Sequence, residues 1–447
     1  MKRLMIILAL ALPLTAKAQN EAPVDSLPDF SHPWSLQECI DWAMGHNLTV
    51  RAYEANVEQR DLDMNTARYS WLPNVSASAS ENLSFGRGLS ADNTYVSSNT
   101  TSTSFSIGAG MNLFDGLATP ARIELSRLNL EASLADLEKT RDDIRIAVSK
   151  AYVQVLYDYE ILEVARQQIA IDSAQVARLE SLMTSGKASA AEVSQQKASY
   201  AQSIVTLTQA ENNLIAGMLD LCQLLELPLD PAFVIVRPSV EAGGILLPSV
   251  DDIYADAVEN RPAVRAEQLR LEGTDQQLRI AKSNLYPSLS LSGGIGSNYY
   301  SMKGSNTGFW DQLSNNFSQY IGLSLNIPIF NRFATRNSIR SAELDRDRQN
   351  LQVQSVKQSL YKEIQQAWNN AAAAQAKYNA SSLAAEAAEA AFELVQAKYE
   401  NGRATITEFN EARNQLMKTR SDLVQATYEY VFQTRVLQFY RGEPLTL

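Results

Sequence analysis

Across positions 74–85 the odd residues are Val75, Ala77, Ala79, Leu83 and Phe85, while the even ones are Asn74, Ser76, Ser78, Ser80, Asn82 and Ser84. Positions 101–113 repeat the pattern, with Phe105, Ile107, Ala109, Met111 and Leu113 against Ser102, Ser104, Ser106, Gly108 and Asn112. Further along, Leu289, Leu291 and Ile295 oppose Ser288, Ser290, Ser292 and Asn298. Finally Ile321, Leu323, Leu325 and Ile327 oppose Ser318, Gly322, Ser324 and Asn326. Alternation with period two over about ten residues predicts membrane β-strands, apolar toward lipid and polar toward water. A sheet on a soluble core would alternate in the same way. Here, however, the polar face is almost wholly Ser, Asn and Gly rather than charged, and aromatic residues gather near the hairpin loops (Phe85, Tyr95, Tyr299, Tyr300, Trp310). That placement fits an interfacial aromatic girdle. Two β-hairpins are predicted, over 73–114 and 287–330.

The rest of the chain reads as helix. Residues 35–71 form the first helical segment, with Ser35 as N-cap and Glu38 completing a capping box, and Pro73 and Pro287 end the corresponding segment of each half. Residues 118–185 and 334–401 hold no proline or glycine beyond Pro120, which is tolerated in a first turn. Both stop at glycine, Gly186 and Gly402, suited to a left-handed C-cap. A second helix then returns over 188–225 and 405–440, giving helical hairpins 118–225 and 334–440. Leu360, Ile364, Ala367, Ala371, Ala374 and Tyr378 follow the 4-3 spacing of a coiled-coil seam. At 1.5 Å per residue the long helices span about 100 Å. The return helix (about 60 Å) and the segment from about 47 to 71 (about 37 Å) sum to nearly that length, as in a cylinder of parallel rods.

The elements recur in order because the chain is duplicated. Ala43/Ala257, Val50/Val264, Arg51/Arg265, Ala52/Ala266, Ala67/Ala281 and Pro73/Pro287 match at an offset of 214, and Gly186/Gly402, Ala188/Ala404 and Glu192/Glu408 at 216. The two copies occupy 35–227 and 249–447. Between them 228–248 reads as a connector with a short β-like run at 233–236.

Composition narrows the setting. Lys2 and Arg3, an apolar run over 4–14 and Ala16-Lys17-Ala18 read as a secretory signal peptide, 1–18, followed by an N-terminal extension, 19–34. The formal net charge is −11, and removal of the signal takes away cations alone. Such acidity argues against nucleic acid as a partner. Beyond the signal no apolar segment reaches the ~18 residues of a membrane helix. Cys39 and Cys222 have repeat counterparts Ile253 and Gln438, and are expected as two buried free thiols. His32 and His46 offer no metal-site spacing. Ser194-x-x-Lys197 looks like a nucleophile pair but has no partner base, and Gly293-Gly294-x-Gly296 lies in a strand pattern, not before a helix.

Four strands cannot close a barrel, and open strand edges are not viable in lipid. Other copies must complete the barrel: two chains would give eight strands and three would give twelve, and a water-filled pore prefers the larger.

The paired openings SLQECIDWAMGHNLTVRA and SVDDIYADAVENRPAVRA, the junctions WLPNVSASAS and LYPSLSLSGG, and the tip segments SGKASAAEV and KYENGRATITEFNEA carry a resemblance. In these the chain resembles the TolC-like outer membrane factors across essentially its whole mature length. The resemblance implies an α+β membrane protein with internal duplication. A long α-helical coiled-coil barrel would carry a trimeric transmembrane β-barrel of four strands per chain. It implies a homotrimer in the cell outer membrane lipid, extending into the periplasm. The partners implied are a periplasmic adaptor (membrane fusion protein) and an inner-membrane RND or ABC transporter, with no cofactor and no metal.

Residue by residue, Glu408 and Glu411 fall where the family constricts its entrance with acids, Glu192 is the matching acid of the first hairpin, and Tyr399 falls at a tyrosine of the closed-state contacts. The family's arginine in that network corresponds to Ala404, with Arg403 one position earlier. Gly186, Lys187 and Gly402 mark the hairpin tips where an adaptor would dock. The function expected is a passive outer-membrane exit duct, not an enzyme, of a tripartite efflux pump or type I secretion system, gated at the periplasmic tips. Its rival is a periplasmic coiled-coil scaffold or adaptor without a membrane barrel. That rival explains the helices but not four serine-faced strands.

Overall fold

The computed structural model describes residues 30–89, 94–97, 99–238, 247–301 and 307–446. The expected signal peptide 1–18, residues 19–29 of the extension and residues 239–246 of the connector lie outside the described residues.

Each copy opens with two helices where the sequence suggests one. In the first copy they are α1 (Leu36–His46) and α2 (Leu48–Tyr69), and in the second α5 (Val250–Asn260) and α6 (Pro262–Ser283). The single helix over 35–71 is thus corrected: Asn47 leaves the helical region at φ −60°, ψ 126°, and its side-chain oxygen caps α2 by accepting from Thr49 and Val50 N–H. An asparagine inside a helical run prefers this local capping to continuing the helix. Its Nδ2 then donates to Leu224 O at 3.0 Å. In the second copy Arg261 takes the same place before Pro262, and its Nη2 donates to Phe439 O at 2.8 Å. Both breaks therefore hook the short helix onto the end of the return helix, stacking the two end to end.

The long helices are α3 (Ala118–Thr184) and α8 (Ala334–Glu400), 67 residues each, and so about 100 Å long. The return helices are α4 (Ala190–Leu224) and α9 (Ile406–Tyr440), 35 residues each. Helix α3 packs on α2, α4, α6 and α9, and α8 on α5, α6 and α9. The seam predicted in α8 is the packed one: Ile364 and Ala371 are fully buried, with Leu360, Ala367 and Ala374 nearly so. Tyr378 stacks on Tyr430 of α9 with ring centroids 5.6 Å apart.

The connector run at 233–236 forms only an isolated bridge, with Trp34 N donating to Val234 O and Val236 N to Trp34 O. Tyr152 closes this junction by donating to Val236 O at 2.7 Å. Cys39 and Cys222 sit in the same cluster, buried and unpaired.

Four strands form one antiparallel sheet in the order β1-β4-β5-β6, namely β1 (Asn74–Ser84), β4 (Thr100–Phe114), β5 (Ser288–Ser301) and β6 (Ser318–Asn326). A two-stranded ribbon, β2 (Arg87–Leu89) with β3 (Tyr95–Ser97), lies in the first loop. The pairing β4–β5 welds the two copies edge to edge. Register keeps parity: Ala77 faces Ile107, Ile107 faces Ile295, and Leu291 faces Leu323. Up to a bulge at Asn112/Phe114 the odd residues therefore share one face, which carries the apolar side chains, and the even residues, mostly Ser, Asn and Gly, share the other. On the polar face Ser78 and Ser80 bond Ser106 and Ser104 across the strands at 2.7 Å.

The second hairpin also holds a short helix the pattern did not suggest, α7 (Phe309–Asn315). Each strand-to-helix turn runs through left-handed residues, Gly116 and Leu117 in the first copy and Arg332 and Phe333 in the second.

Candidate functional site

The two helical hairpins end together, far from the sheet. Each long helix closes with a glycine in the left-handed region, Gly186 at φ 71° and Gly402 at φ 68°. Around them Lys187 N bonds Leu182 O and Arg403 N bonds Lys398 O, both at 2.8 Å, which satisfies the last carbonyls of the helix. Leu179 and Val193 of the first hairpin pack with Ile406 and Phe409 of the second, so the tips are one apolar unit.

Tyr399 is the side chain that crosses between them. Its ring stacks on Phe409 at 4.9 Å, and its hydroxyl accepts from Gln175 Nε2 on α3 at 2.9 Å. Burial raises its pKa, so the phenol stays protonated. The cation over this ring is Arg178 of α3, 5.6 Å from the centroid. Arg403 instead has an exposed side chain and uses its backbone N–H in the turn.

The acids separate into two kinds. Glu192 Oε2 accepts from Ser189 N–H at 2.6 Å, and Glu408 Oε2 accepts from Thr405 N–H at 2.7 Å. The hydroxyls of Ser189 and Thr405 accept in return from the glutamate N–H groups, so both acids complete capping boxes. The backbone N–H bond, above all, holds each carboxyl below the usual carboxylate range. Each stays ionised, but one of its oxygens is committed locally. Glu411, one turn further into α9, is exposed and outside the cap. The S-x-x-E and T-x-x-E spacings carried this information in the sequence.

One cluster the sequence reading missed lies higher up the same hairpins. Asp172 of α3 is 0% exposed and Arg413 of α9 is 2% exposed, and the two form a buried ion pair. Arg413 Nη1 donates to Asp172 Oδ1, which also accepts from Gln196 Nε2 of α4 at 3.0 Å. Asp172 Oδ2 accepts from Ser203 Oγ and from Gln168 Nε2, the latter at 2.8 Å. Burial pulls the Arg413 pKa down, with Asp172 opposing that shift. Around the pair, Gln168 Oε1, Gln196 Oε1, both amide atoms of Asn410 and Arg413 Nε are buried without a partner among the described residues.

The signal was there in the spacing. Leu162, Ala165, Asp172, Gln175 and Leu179 form a buried row on α3, and Ile406, Phe409, Arg413 and Leu416 one on α9. The charges occupy positions where a seam places apolar side chains.

At the other end the apolar face of the sheet is open. Ile321 is 80% exposed, Leu323 65% and Leu325 61%. No described helix is long and apolar enough to cross a membrane.

A family model described as outer membrane efflux protein matches residues 39–225 and 253–443, once per copy and over most of the chain. The chain belongs to the outer membrane efflux protein family. It is 26% identical over 373 residues to protein CyaE of Bordetella pertussis, covering 80% of this chain and 73% of that one. It is 23% identical over 400 residues to outer membrane efflux protein BepC of Brucella suis, covering 88% and 82%. Its fold matches the outer membrane protein VceC of Vibrio cholerae with a TM-score of 0.74 at 20% identity, over 92% of this chain and 97% of that one.

As a member of this family the chain is an outer-membrane efflux channel, its sheet in the membrane and its helices reaching into the periplasm. The scaffold alternative falls: an apolar-faced four-stranded sheet and a family match through both copies leave it no support. Lys197 of the Ser194-x-x-Lys197 pair is ion-paired to Glu180 at 2.7 Å, and Gly293, Gly294 and Gly296 lie within β5.

Proposed function

We propose that three copies assemble into a twelve-stranded barrel over a helical tunnel. The assembly works as a passive exit duct for an inner-membrane RND or ABC transporter, reached through a periplasmic adaptor. The observation that carries this is the sheet itself. Among the described residues strands β1 and β6 each have one unpaired edge, which lipid does not tolerate, and four strands are too few to close on themselves. Joining β6 of one copy to β1 of the next removes every edge.

The gate in this reading is the tip unit. Tyr399 and Arg178 tie α8 to α3, while Glu411, with the free oxygens of Glu408 and Glu192, faces the entrance as rings of carboxylate. The adaptor seats on the turns at Gly186, Lys187 and Gly402. Carboxylate rings favour cations in a pore.

Reversal potentials in a planar bilayer test the reading. Glu411→Gln, which leaves both capping boxes intact, is expected to reduce cation selectivity, and Glu408→Ala/Glu411→Ala to abolish it. Unchanged reversal potentials in both would remove the ring assignment, and a detergent-extracted mass other than three chains would remove the trimer.

A further inference from the structure

Strand β5 runs on to Ser301, but its partner β6 begins only at Ser318, opposite Gly296. The edge of β5 beyond Gly296 would therefore be bare. Helix α7 covers it. Gln312 Oε1 accepts from Tyr300 N–H at 2.9 Å, and Gln312 Nε2 donates to Tyr300 O at 3.0 Å, so one side chain stands in for a missing strand. Asn316 Nδ2 donates to Asn298 O at 2.7 Å.

Two further contacts fix the side of the sheet on which α7 lies. Ser297 Oγ donates to Leu313 O at 2.6 Å, and the Tyr299 ring meets Phe309 edge-on with centroids 5.0 Å apart. Ser297 and Tyr299 share parity with Leu289, Leu291 and Ile295, so both point from the apolar face. Helix α7 thus leans onto the lipid side of the barrel, not into the lumen.

Height agrees. Tyr299 is ten residues beyond Leu289. With a rise of about 3.3 Å per residue and a tilt of about 40°, that is about 25 Å along the membrane normal. This is the height of the apolar band of such barrels, so α7 sits at its outer rim. Phe309 packs against Trp310 at 5.3 Å. Trp310 is 59% exposed, Phe317 is 57% exposed, and α7 buries none of its residues.

We propose that α7 is an interfacial anchor that seats Phe309 and Trp310 among the outer-leaflet lipids, at the boundary between acyl chains and headgroups. The occupant is lipid because the patch stands on the same face of the sheet as Ile295 and Ile321 and lies just beyond them, past Ser297, at the outer rim of that face. Helix α7 carries Asp311 and no Lys or Arg. Attachment is therefore aromatic and apolar rather than electrostatic, and salt should not release it. The edge-covering bonds to Tyr300 and Asn298 make the anchor rigid with the barrel wall. The inference rests on the barrel reading.

The test reconstitutes the full chain into vesicles of phosphatidylcholine brominated at a shallow or a deep acyl position. The difference in emission between the parent and Trp310→Phe isolates one tryptophan of five. Expected is loss of at least half of that component with the shallow label, a smaller loss with the deep one, and no change between low and high salt. Quenching by aqueous iodide instead of the brominated lipid would overturn the proposal, as would protection from both, which would mean that a neighbouring copy covers the helix. Leu323→Trp serves as the mid-band control. If Leu323→Trp is quenched by the deep label and Trp310 is not, α7 is not an anchor but the barrel stands. If neither is quenched, the barrel reading fails.

Discussion

Replacing Arg413 with Met would leave Asp172 buried without its cation. Because the two side chains are 2% and 0% exposed, water cannot take the place of the lost partner. Removing one member of such a buried pair costs about 3–5 kcal/mol, and each 1.4 kcal/mol is about tenfold. The local equilibrium for separating α9 from α3 and α4 should therefore shift by roughly a hundred- to a few-thousand-fold. Gln168, Gln196 and Ser203 still donate to Asp172, which keeps the estimate from rising further. Hydrogen exchange followed by mass spectrometry reads this directly, on peptides covering 168–179 and 406–416 in the assembled channel. Asp172→Asn/Arg413→Gln removes both charges while keeping groups that can hydrogen-bond, so it should recover most of the protection. Two results would refute the reasoning: less than about a fivefold change in Arg413→Met, or a double variant that exchanges as fast as the single one.

Three further outcomes follow from the same geometry. A Cβ on Gly116 would lie 2.5 Å from Ser283 O, whereas one on Gly186 would meet nothing within 4 Å. Gly186→Ala should thus show only left-handed strain, about 1–2 kcal/mol, and Gly116→Ala a clearly larger drop in the channel's unfolding temperature; equal drops would contradict this.

Burial pushes the Cys39 thiol up to about 12 and the Cys222 thiol up to about 11. Because the thiolate is the reactive form, iodoacetamide at pH 8 should label neither in the folded channel and both after denaturation, as counted by intact mass.

The Glu192 and Glu408 carboxyls titrate below their ordinary 4.5. Their caps therefore stabilise the tips above that pH and lose the contribution as pH falls through the lower folded value. The exchange difference between the parent and Glu408→Gln at amides 406–409 should shrink as the pH is taken below 4.5. A difference that persists would mean that the carboxylate is not the cap.

Much of the architecture was legible because it is written in short periods. Alternation at period two placed the strands and told their faces apart. Caps and breakers placed both ends of α3 and α8 within a residue. Parity survived folding because odd residues of the sheet pair with odd ones up to the bulge at Asn112/Phe114, where even Phe114 meets Leu289. The candidate tip was legible as a location, since Gly186 and Gly402 mark turns by their backbone needs alone. It was less legible as chemistry. Glu408 read as an entrance acid, while its Thr405-x-x-Glu408 spacing also specified a cap, and one oxygen cannot serve both fully.

What only the tertiary structure decided are the choices between partners. Asp172 finds Arg413 across 241 positions of chain, and a local pattern cannot name a partner at that distance, only note a charge on a seam. Arg178 rather than Arg403 covers Tyr399 because α3 passes that ring while the turn carries Arg403 outward. Asn47 breaks its helix by a local cap, but that its amide nitrogen then meets Leu224 O at the end of α4 is a matter of packing. Helix α7 exists where β6 falls short of β5. Local sequence determined the rods, the strands and their faces, since those depend on the chain's own neighbours. Which rod meets which, and where a buried charge or a bare edge is satisfied, depended on the packed whole, because desolvation makes such groups costly only once the chain has closed around them.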